Sequence, residues 1–73
     1  SAHGLETFQW PTEVTHLVIF ADNDRNGVGE NAARALAARA AASGVETRIM
    51  LPRQVGDDWA DVFENGGDVD GLE

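Results

Sequence analysis

Two carboxylates, Asp22 and Asp24, stand two positions apart and form the first candidate functional pair of the sequence. They directly follow a short apolar run, residues 17–21, that is rich in residues favoured in β-strands. Alternate side chains of an extended chain project to the same side, so the two carboxylates are expected side by side. Carboxylates held close repel each other unless a cation neutralises them. Mg²⁺ and Mn²⁺ favour carboxylate oxygens as ligands, so the spacing predicts a divalent-metal site.

Two other interpretations of this acidic turn compete with the metal site. Asp and Asn favour turns and helix N-caps because their side chains hydrogen-bond nearby backbone groups. Residues 22–27 also match the opening of an EF-hand calcium loop, with Glu30 at the ninth loop position. The twelfth position, which needs a bidentate Glu, is Ala33, and the preceding segment is strand-like instead of helical. The sequence disfavours an EF-hand and leaves the metal site and the turn as alternatives.

A strand, a helix and a second strand are expected to position the acidic pair. We predict strands over residues 15–21 and 45–51, because both segments are rich in β-favouring residues. The Ala-rich segment 27–43 between them predicts a helix, since Ala has the highest helix propensity. The resulting βαβ unit predicts an α/β fold with a small parallel sheet. Ligands of such sheets bind at the carboxyl ends of the strands, where Asp22 and Asp24 lie.

The turn that opens the helix is expected to support the acidic pair. It contains Asn26, Gly27 and Gly29, and Gly44 is placed to end the helix. Four apolar residues are predicted to form the helix face that packs on the sheet: Val28, Ala32, Ala35 and Leu36.

A third acidic feature, Asp57 and Asp58, precedes a short predicted helix. One of the two aspartates is expected to cap that helix, whose Trp59, Val62 and Phe63 stand at helical spacing in one apolar stripe. Three aromatic residues are predicted to be core anchors rather than base-stacking platforms: Trp10, Trp59 and Phe63. The last residues, 67–73, are acidic and Gly-rich and are predicted to form a flexible tail.

Composition limits the class of protein. The chain has 73 residues, enough for one small domain that buries about 60% of its unfolded surface. It has no cysteine for thiolate metal sites and no apolar run long enough to cross a bilayer, so we expect a cytoplasmic protein with no membrane contact. Thirteen acidic residues face five arginines, a net charge of −8. This charge predicts weak or no nucleic-acid binding by the chain alone, and a cation must mediate any phosphate contact.

The order of these features resembles the latter half of the Toprim domain of phage and plasmid DNA primases and primase-helicases. The resemblance covers nearly the whole chain and is carried by FADNDRNGVGENAARALAARAAASG, a second strand, and GDDWADVF. In that family a strand ends in a D-x-D motif followed by an Asn-Gly turn and an Ala-rich helix, and a later aspartate lies near the site. Asp22 and Asp24 match the D-x-D pair, and Asp58 best matches the later aspartate. The resemblance therefore implies that Asp22 and Asp24 are metal ligands and that Asp58 is a third ligand or a group that supports the ligands.

The resemblance also implies a catalytic glutamate that this chain lacks. Family members carry it, usually followed by Gly, at the end of an earlier strand, and no such strand precedes residue 14 here. We therefore expect residues 1–66 to be a partial Toprim domain whose catalytic glutamate lies upstream of Ser1.

By this resemblance, the parent protein is expected to carry out Mg²⁺- or Mn²⁺-dependent nucleotidyl transfer in DNA primer synthesis, binding DNA and nucleotides. A Toprim nuclease or topoisomerase and a non-catalytic interaction module are the alternatives.

Overall fold

The computed structural model describes residues 2–66 and 69–72. In chain order its elements are α1 (Ala2–Glu6), β1 (His16–Phe20), α2 (Val28–Ala42), β2 (Glu46–Pro52), α3 (Trp59–Asn65) and β3 (Val69–Leu72). The three strands form one sheet in the order β1-β2-β3. The architecture is α/β, as the sequence predicts.

The βαβ unit is confirmed. Strands β1 and β2 pair in parallel, with His16 opposite Glu46 and Phe20 opposite Met50. Helix α2 connects them and packs against both. The buried cluster between helix and sheet contains Ile19, Ala21, Ala33, Leu36, Ile49 and Leu51. The carboxyl end of β1 therefore adjoins this buried cluster through Ala21.

Helix α2 begins and ends where glycines permit it. Gly27 is its N-cap in the left-handed conformation, with φ of 72°. Gly44, which follows the C-cap Ser43, also has a positive φ, of 80°, as expected for a residue that ends a helix. Between them Glu30 and Arg34 form an ion pair one turn apart, at 2.8 Å.

The buried face of α2 differs from the predicted one. Val28 and Ala35 are exposed, so their assignment to the packing face is wrong, whereas Ala32 and Leu36 are buried as predicted. The buried positions of the helix are Gly29, Ala32, Ala33, Leu36 and Ala40. All of these except Leu36 are Gly or Ala, so the helix can lie close to the sheet. The first buried position of the helix is Gly29, not Val28.

Helix α3 begins at the predicted cap. Asp58 accepts a hydrogen bond from the backbone N–H of Asp61, and the Asp61 side chain accepts one from the backbone N–H of Asp58, forming a capping box. Val62 is buried, but Phe63 is 79% exposed. The prediction that Phe63 anchors the core is therefore wrong: α3 is short, and Val62 is its buried apolar contact.

Strand β3 is an element that the sequence analysis misses. Residues 69–72, assigned above to a flexible tail, pair antiparallel with β2, and Asp70 lies opposite Leu51. An ion pair of 3.0 Å between Arg53 and Asp70 adds to this pairing. The sheet is therefore mixed, not purely parallel. The other tail positions, 67, 68 and 73, lie outside the described residues.

The N-terminal segment is fastened to α2 by Arg39. Helix α1, which shows no clear sequence signal, packs against α2. The Arg39 guanidinium donates hydrogen bonds to the carbonyls of Glu6 (2.8 Å) and Phe8 (2.7 Å). It also lies 5.3 Å from the centre of the Trp10 ring, in cation–π geometry. Of the predicted aromatic anchors, Trp10 is half-buried and packs against the core cluster.

No helix in the described part of the chain is long and apolar enough to span a bilayer.

Candidate functional site

Asp22 lies two residues beyond Phe20, the last residue of β1. Its neighbour Ala21 is fully packed, and the Ala21 N–H donates to the Met50 carbonyl at 3.1 Å, so the chain stays in register with β2 up to this point. The Asp22 side chain is exposed. Its Oδ1 accepts a hydrogen bond of 3.3 Å from the backbone N–H of Trp59, the first residue of α3. The carboxylate is thus held between the end of a strand and the start of a helix.

Asp24 is held by the first turn of α2. Its Oδ2 accepts a hydrogen bond of 3.1 Å from the Gly29 N–H, and its carbonyl accepts one of 3.0 Å from the Gly27 N–H. The Asn26 side chain accepts from the Val28 N–H at 3.1 Å. Asn26 and Asp24 thus accept from the Val28 and Gly29 N–H groups, which would otherwise lack partners at a helix start. The other predicted supporting residues, Gly27 and Gly29, are the donors to Asp24.

Gly29 is the position where the helix and the acidic turn touch. A Cβ atom on Gly29 would stand 2.7 Å from the Asp22 carbonyl oxygen and 2.8 Å from Oδ2 of Asp24. Real Cβ atoms do not approach oxygens so closely, so a side chain there would push the helix away from the turn. The closeness of α2 to both aspartates depends on this glycine.

Asp22 and Asp24 open onto one shared pocket. Its volume is about 210 Å³, and the remaining lining comes from Ala2, Leu5, Phe20, Ala21 and Gly29. The lining therefore combines two carboxylates with apolar side chains. Asp58, the third predicted ligand, is not among the lining residues.

Asp58 is engaged in the capping box of α3. Its Oδ1 accepts from the Asp61 N–H at 2.9 Å, and its own N–H donates to Asp61 at 3.1 Å. The loop that carries Asp58 does come to the site, because the next residue, Trp59, binds Asp22. The backbone at the start of α3 therefore contacts Asp22, whereas the Asp58 side chain binds the Asp61 N–H instead.

Asn23 is a structural residue of the site that the sequence analysis misses. Its side-chain amide donates to the Pro52 carbonyl at 2.8 Å, and its N–H donates to the Asp57 carbonyl at 3.0 Å. Its own carbonyl accepts from the Gly56 N–H. Asn23 therefore fastens the loop between β2 and α3 to the acidic turn. The only sequence signal was an Asn between the two aspartates.

The donor set fits a hard divalent cation in part. Each of Asp22 and Asp24 has one carboxylate oxygen oriented by a backbone N–H, and carboxylate oxygens suit Mg²⁺ and Mn²⁺. Across residues 2–66 and 69–72, no three acidic or histidine side chains gather as a metal cluster. The pair would thus supply two ligands and leave the other coordination positions to water and phosphate, a common arrangement for Mg²⁺.

A comparison with known protein families identifies the family of the chain. The family model described as the Toprim domain matches residues 1–68. The chain belongs to the Toprim family. No curated protein and no solved structure is similar enough to the chain to count as a match.

Membership fits the position of the acidic pair in the fold. Toprim domains generally bind metal ions, Mg²⁺ above all, and occur in primases, nucleases and topoisomerases. In this Toprim domain Asp22 and Asp24 form the D-x-D at the carboxyl end of β1, and α2 follows through the Asn26-Gly27 turn. The βαβ unit thus places these carboxylates where open α/β sheets hold ligands.

Proposed function

We propose that this Toprim domain binds Mg²⁺ or Mn²⁺ at Asp22 and Asp24, and that the protein containing it uses the ion for nucleotidyl transfer in DNA primer synthesis. The observation that carries the proposal is the shared pocket: two exposed carboxylates line it, and backbone N–H groups orient one oxygen of each. When bound, the ion would orient phosphate groups and stabilise charge that develops on them.

Asp58 has an indirect role in this proposal. Its side chain caps α3, and α3 in turn presents the Trp59 N–H to Asp22. We propose that Asp58 acts chiefly by positioning α3, and that a direct ligand role requires it to give up the cap.

The charge of the chain supports a cation-mediated contact with phosphate. A net charge of −8 with five arginines and no lysine gives little direct attraction for a phosphate backbone. We propose that other parts of a cytoplasmic parent protein bind the DNA and nucleotides, and that this domain contributes the metal ion.

Primer synthesis is proposed over DNA cleavage or strand passage on two features of the sequence. These are the Asn26-Gly27 pair after the D-x-D motif and the Asp58-Trp59 pair at the start of α3, both of which resemble primases. A Toprim nuclease or topoisomerase and a non-catalytic interaction module remain the rival functions.

The test is an activity assay on the longest protein that contains this domain. A single-stranded DNA template, Mg²⁺ and labelled nucleoside triphosphates should give new short oligonucleotides. Asp22→Asn or Asp24→Asn should reduce product by about 100-fold or more, since each carboxylate is proposed to hold the ion that stabilises transition-state charge. Glu46→Gln, an exposed charge at the far end of β2, is the matched control and should be active.

The products distinguish the rival functions. Shortened DNA would indicate a nuclease, relaxed supercoiled DNA a topoisomerase, and no metal-dependent product an interaction module. Any of these outcomes would contradict primer synthesis. The purified 73 residues alone are expected to form no product, because none of their glutamates follows a strand-like apolar run.

A further inference from the structure

Three aromatic rings form a continuous surface cluster beside the acidic pair. Phe20 and Trp59 meet edge to face, with ring centroids 5.0 Å apart and planes at 84°. Trp59 and Phe63 follow at 6.0 Å and 40°. Phe20 is 56% exposed and Phe63 is 79% exposed, although both are large apolar side chains. We call Phe20, Trp59 and Phe63 the aromatic cluster.

Trp59 fixes the aromatic cluster to the acidic site at two points. Its indole Nε1–H donates to the Ala21 carbonyl at 3.0 Å, and its backbone N–H donates to Asp22 at 3.3 Å. The ring therefore cannot turn away without breaking a part-buried hydrogen bond. Its position relative to the carboxylate is set by the fold.

Phe20 makes the cluster continuous with the pocket. The same ring that contacts Trp59 also lines the pocket shared by Asp22 and Asp24. A molecule that reaches the carboxylates through a cation therefore has an aromatic wall next to it. Exposed apolar clusters next to polar groups are typical of binding surfaces.

We propose that the aromatic cluster stacks the base of a nucleotide whose phosphates are held by the metal ion at Asp22 and Asp24. A nucleobase is flat and uncharged, so it can approach this acidic chain, and every base has a face that stacks on an aromatic ring. Phe63 offers the most exposed ring face, and Phe20 and Trp59 connect it to the carboxylates. The proposal rests on the proposed metal site for its phosphate half.

The test is an NMR titration of the 73-residue chain that separates the base from the phosphates. The probes are adenosine triphosphate and inorganic tripolyphosphate, each with Mg²⁺. The two indole N–H signals serve as reporters: Trp59 belongs to the cluster, and Trp10 lies against Arg39. Adenosine triphosphate should shift the Trp59 indole signal and leave the Trp10 indole signal in place. Tripolyphosphate should shift backbone amides around Asp22 and Asp24 and leave both indole signals in place.

The affinities give the second readout. Adenosine triphosphate should bind at least about five-fold more tightly than tripolyphosphate, the smallest effect expected from stacking one base. Phe63→Ala should remove this difference and Phe63→Trp should keep it. Both variants should fold, because the side chain is mostly exposed. Phe8→Ala, at another exposed phenylalanine, is the matched control and should keep the difference.

The outcomes separate the two proposals. Equal affinity for both probes, with binding still dependent on Mg²⁺ and on Asp22, would overturn base stacking and leave the metal site intact. No Mg²⁺-dependent binding of tripolyphosphate would overturn the metal site. In that case, adenosine without phosphates would test the aromatic cluster by itself. A shift of the Trp59 indole signal that is lost in Phe63→Ala would support base binding without the metal site. Concentration-dependent dimerisation that Phe63→Ala abolishes would show that a second copy covers the cluster, and would overturn the proposal.

Discussion

The backbone N–H of Trp59 donates a hydrogen bond of 3.3 Å to Oδ1 of Asp22, a residue 37 positions earlier in the chain. This contact joins the start of α3 to the carboxyl end of β1. Asp22 is therefore oriented by α3, a helix outside the βαβ unit. The loop between β2 and α3 must be in place before the acidic pair is complete, and Asn23 fastens that loop at Pro52 and Asp57.

Gly29→Ala is expected to destabilise the domain. In an ordinary helix position the change stabilises by about 0.5–1 kcal/mol. Here the new Cβ would meet the Asp22 carbonyl at 2.7 Å, and a backbone oxygen of the packed site cannot easily move. We expect the free energy of unfolding to fall by about 1–3 kcal/mol, as measured by urea denaturation. Because helix propensity and steric crowding predict opposite signs, an increase in stability would refute the close approach.

The Asp24 contact at Gly29 can be separated from the backbone contact. In Asp24→Ala the carboxylate is gone, but the Asp22 carbonyl remains. Gly29→Ala should therefore still destabilise in the Asp24→Ala background, by less than in the natural chain. Equal stability of the two Asp24→Ala proteins would show that the carboxylate alone causes the crowding.

Asp58→Ala should lower the free energy of unfolding, whereas Asp58→Asn should leave it nearly unchanged. Alanine removes the acceptor of the Asp61 N–H, and loss of such a cap costs about 0.5–2 kcal/mol. Asparagine caps helices as well as aspartate. Thermal unfolding measures both variants.

The same pair of variants tests whether Asp58 is a metal ligand. If Asp58 only positions α3, the Asp58→Asn protein should bind Mn²⁺ as the natural chain does. A marked loss of Mn²⁺ affinity in the stable Asp58→Asn protein would establish a direct ligand role and contradict the positioning role proposed above.

Arg39→Ala should release the N-terminal segment from α2. The guanidinium bonds two carbonyls and lies over Trp10, so its loss is expected to cost about 1–3 kcal/mol. Arg39→Lys should be intermediate, because an ammonium keeps the charge and its N–H donors but cannot stack a planar group on the Trp10 ring. Arg34→Ala, which breaks an exposed ion pair with Glu30 on the same helix, should cost only about 0.3–0.5 kcal/mol. Urea denaturation that ranks Arg34→Ala equal to Arg39→Ala would contradict this assignment.

The βαβ unit is predictable from the sequence because its signals are local. Two β-favouring runs flank an Ala-rich segment, and Gly27 and Gly44 mark the helix ends with the positive φ angles that glycine allows. The same locality explains why Asp22 and Asp24 are found at the expected end of β1. Their role as metal ligands stays a prediction.

The missed features depend on partners distant in sequence. Residues 69–72 contain Asp and Gly, which are unfavourable in strands, and pair only because β2 offers a free edge and Arg53 meets Asp70. Phe63 has helical spacing with Trp59, but this spacing does not show whether another helix or strand packs over the Phe63 side chain. The role of Asn23 likewise depends on the path of a remote loop.

The last prediction concerns the metal site itself. Asp22 and Asp24 should bind Mn²⁺ or Mg²⁺ weakly in the 73-residue chain, with a dissociation constant on the order of millimolar, because two carboxylates leave most of the coordination shell to water. Mn²⁺ should bind more tightly than Mg²⁺ at sites of this kind. A titration with paramagnetic Mn²⁺, followed by amide NMR, should broaden the signals of residues 22–27 first. Broadening should reach residues 57–59 as well, since the Trp59 N–H lies against Asp22.

The controls distinguish a site from diffuse attraction by an acidic chain. Other acidic residues, such as Asp70 in β3, attract cations without binding them specifically, so the comparison is made at raised salt, where diffuse attraction is screened. Asp22→Asn with Asp24→Asn removes both charges and retains side-chain oxygens that can accept from the Trp59 and Gly29 N–H groups, so the fold should persist while the early broadening disappears. Glu46→Gln removes one charge at the opposite end of β2 and should change nothing. If the signals of residues 22–27 broaden no more than those of residues 69–72, or broaden equally in the double variant, the two aspartates serve only to fix the turn and the helix starts.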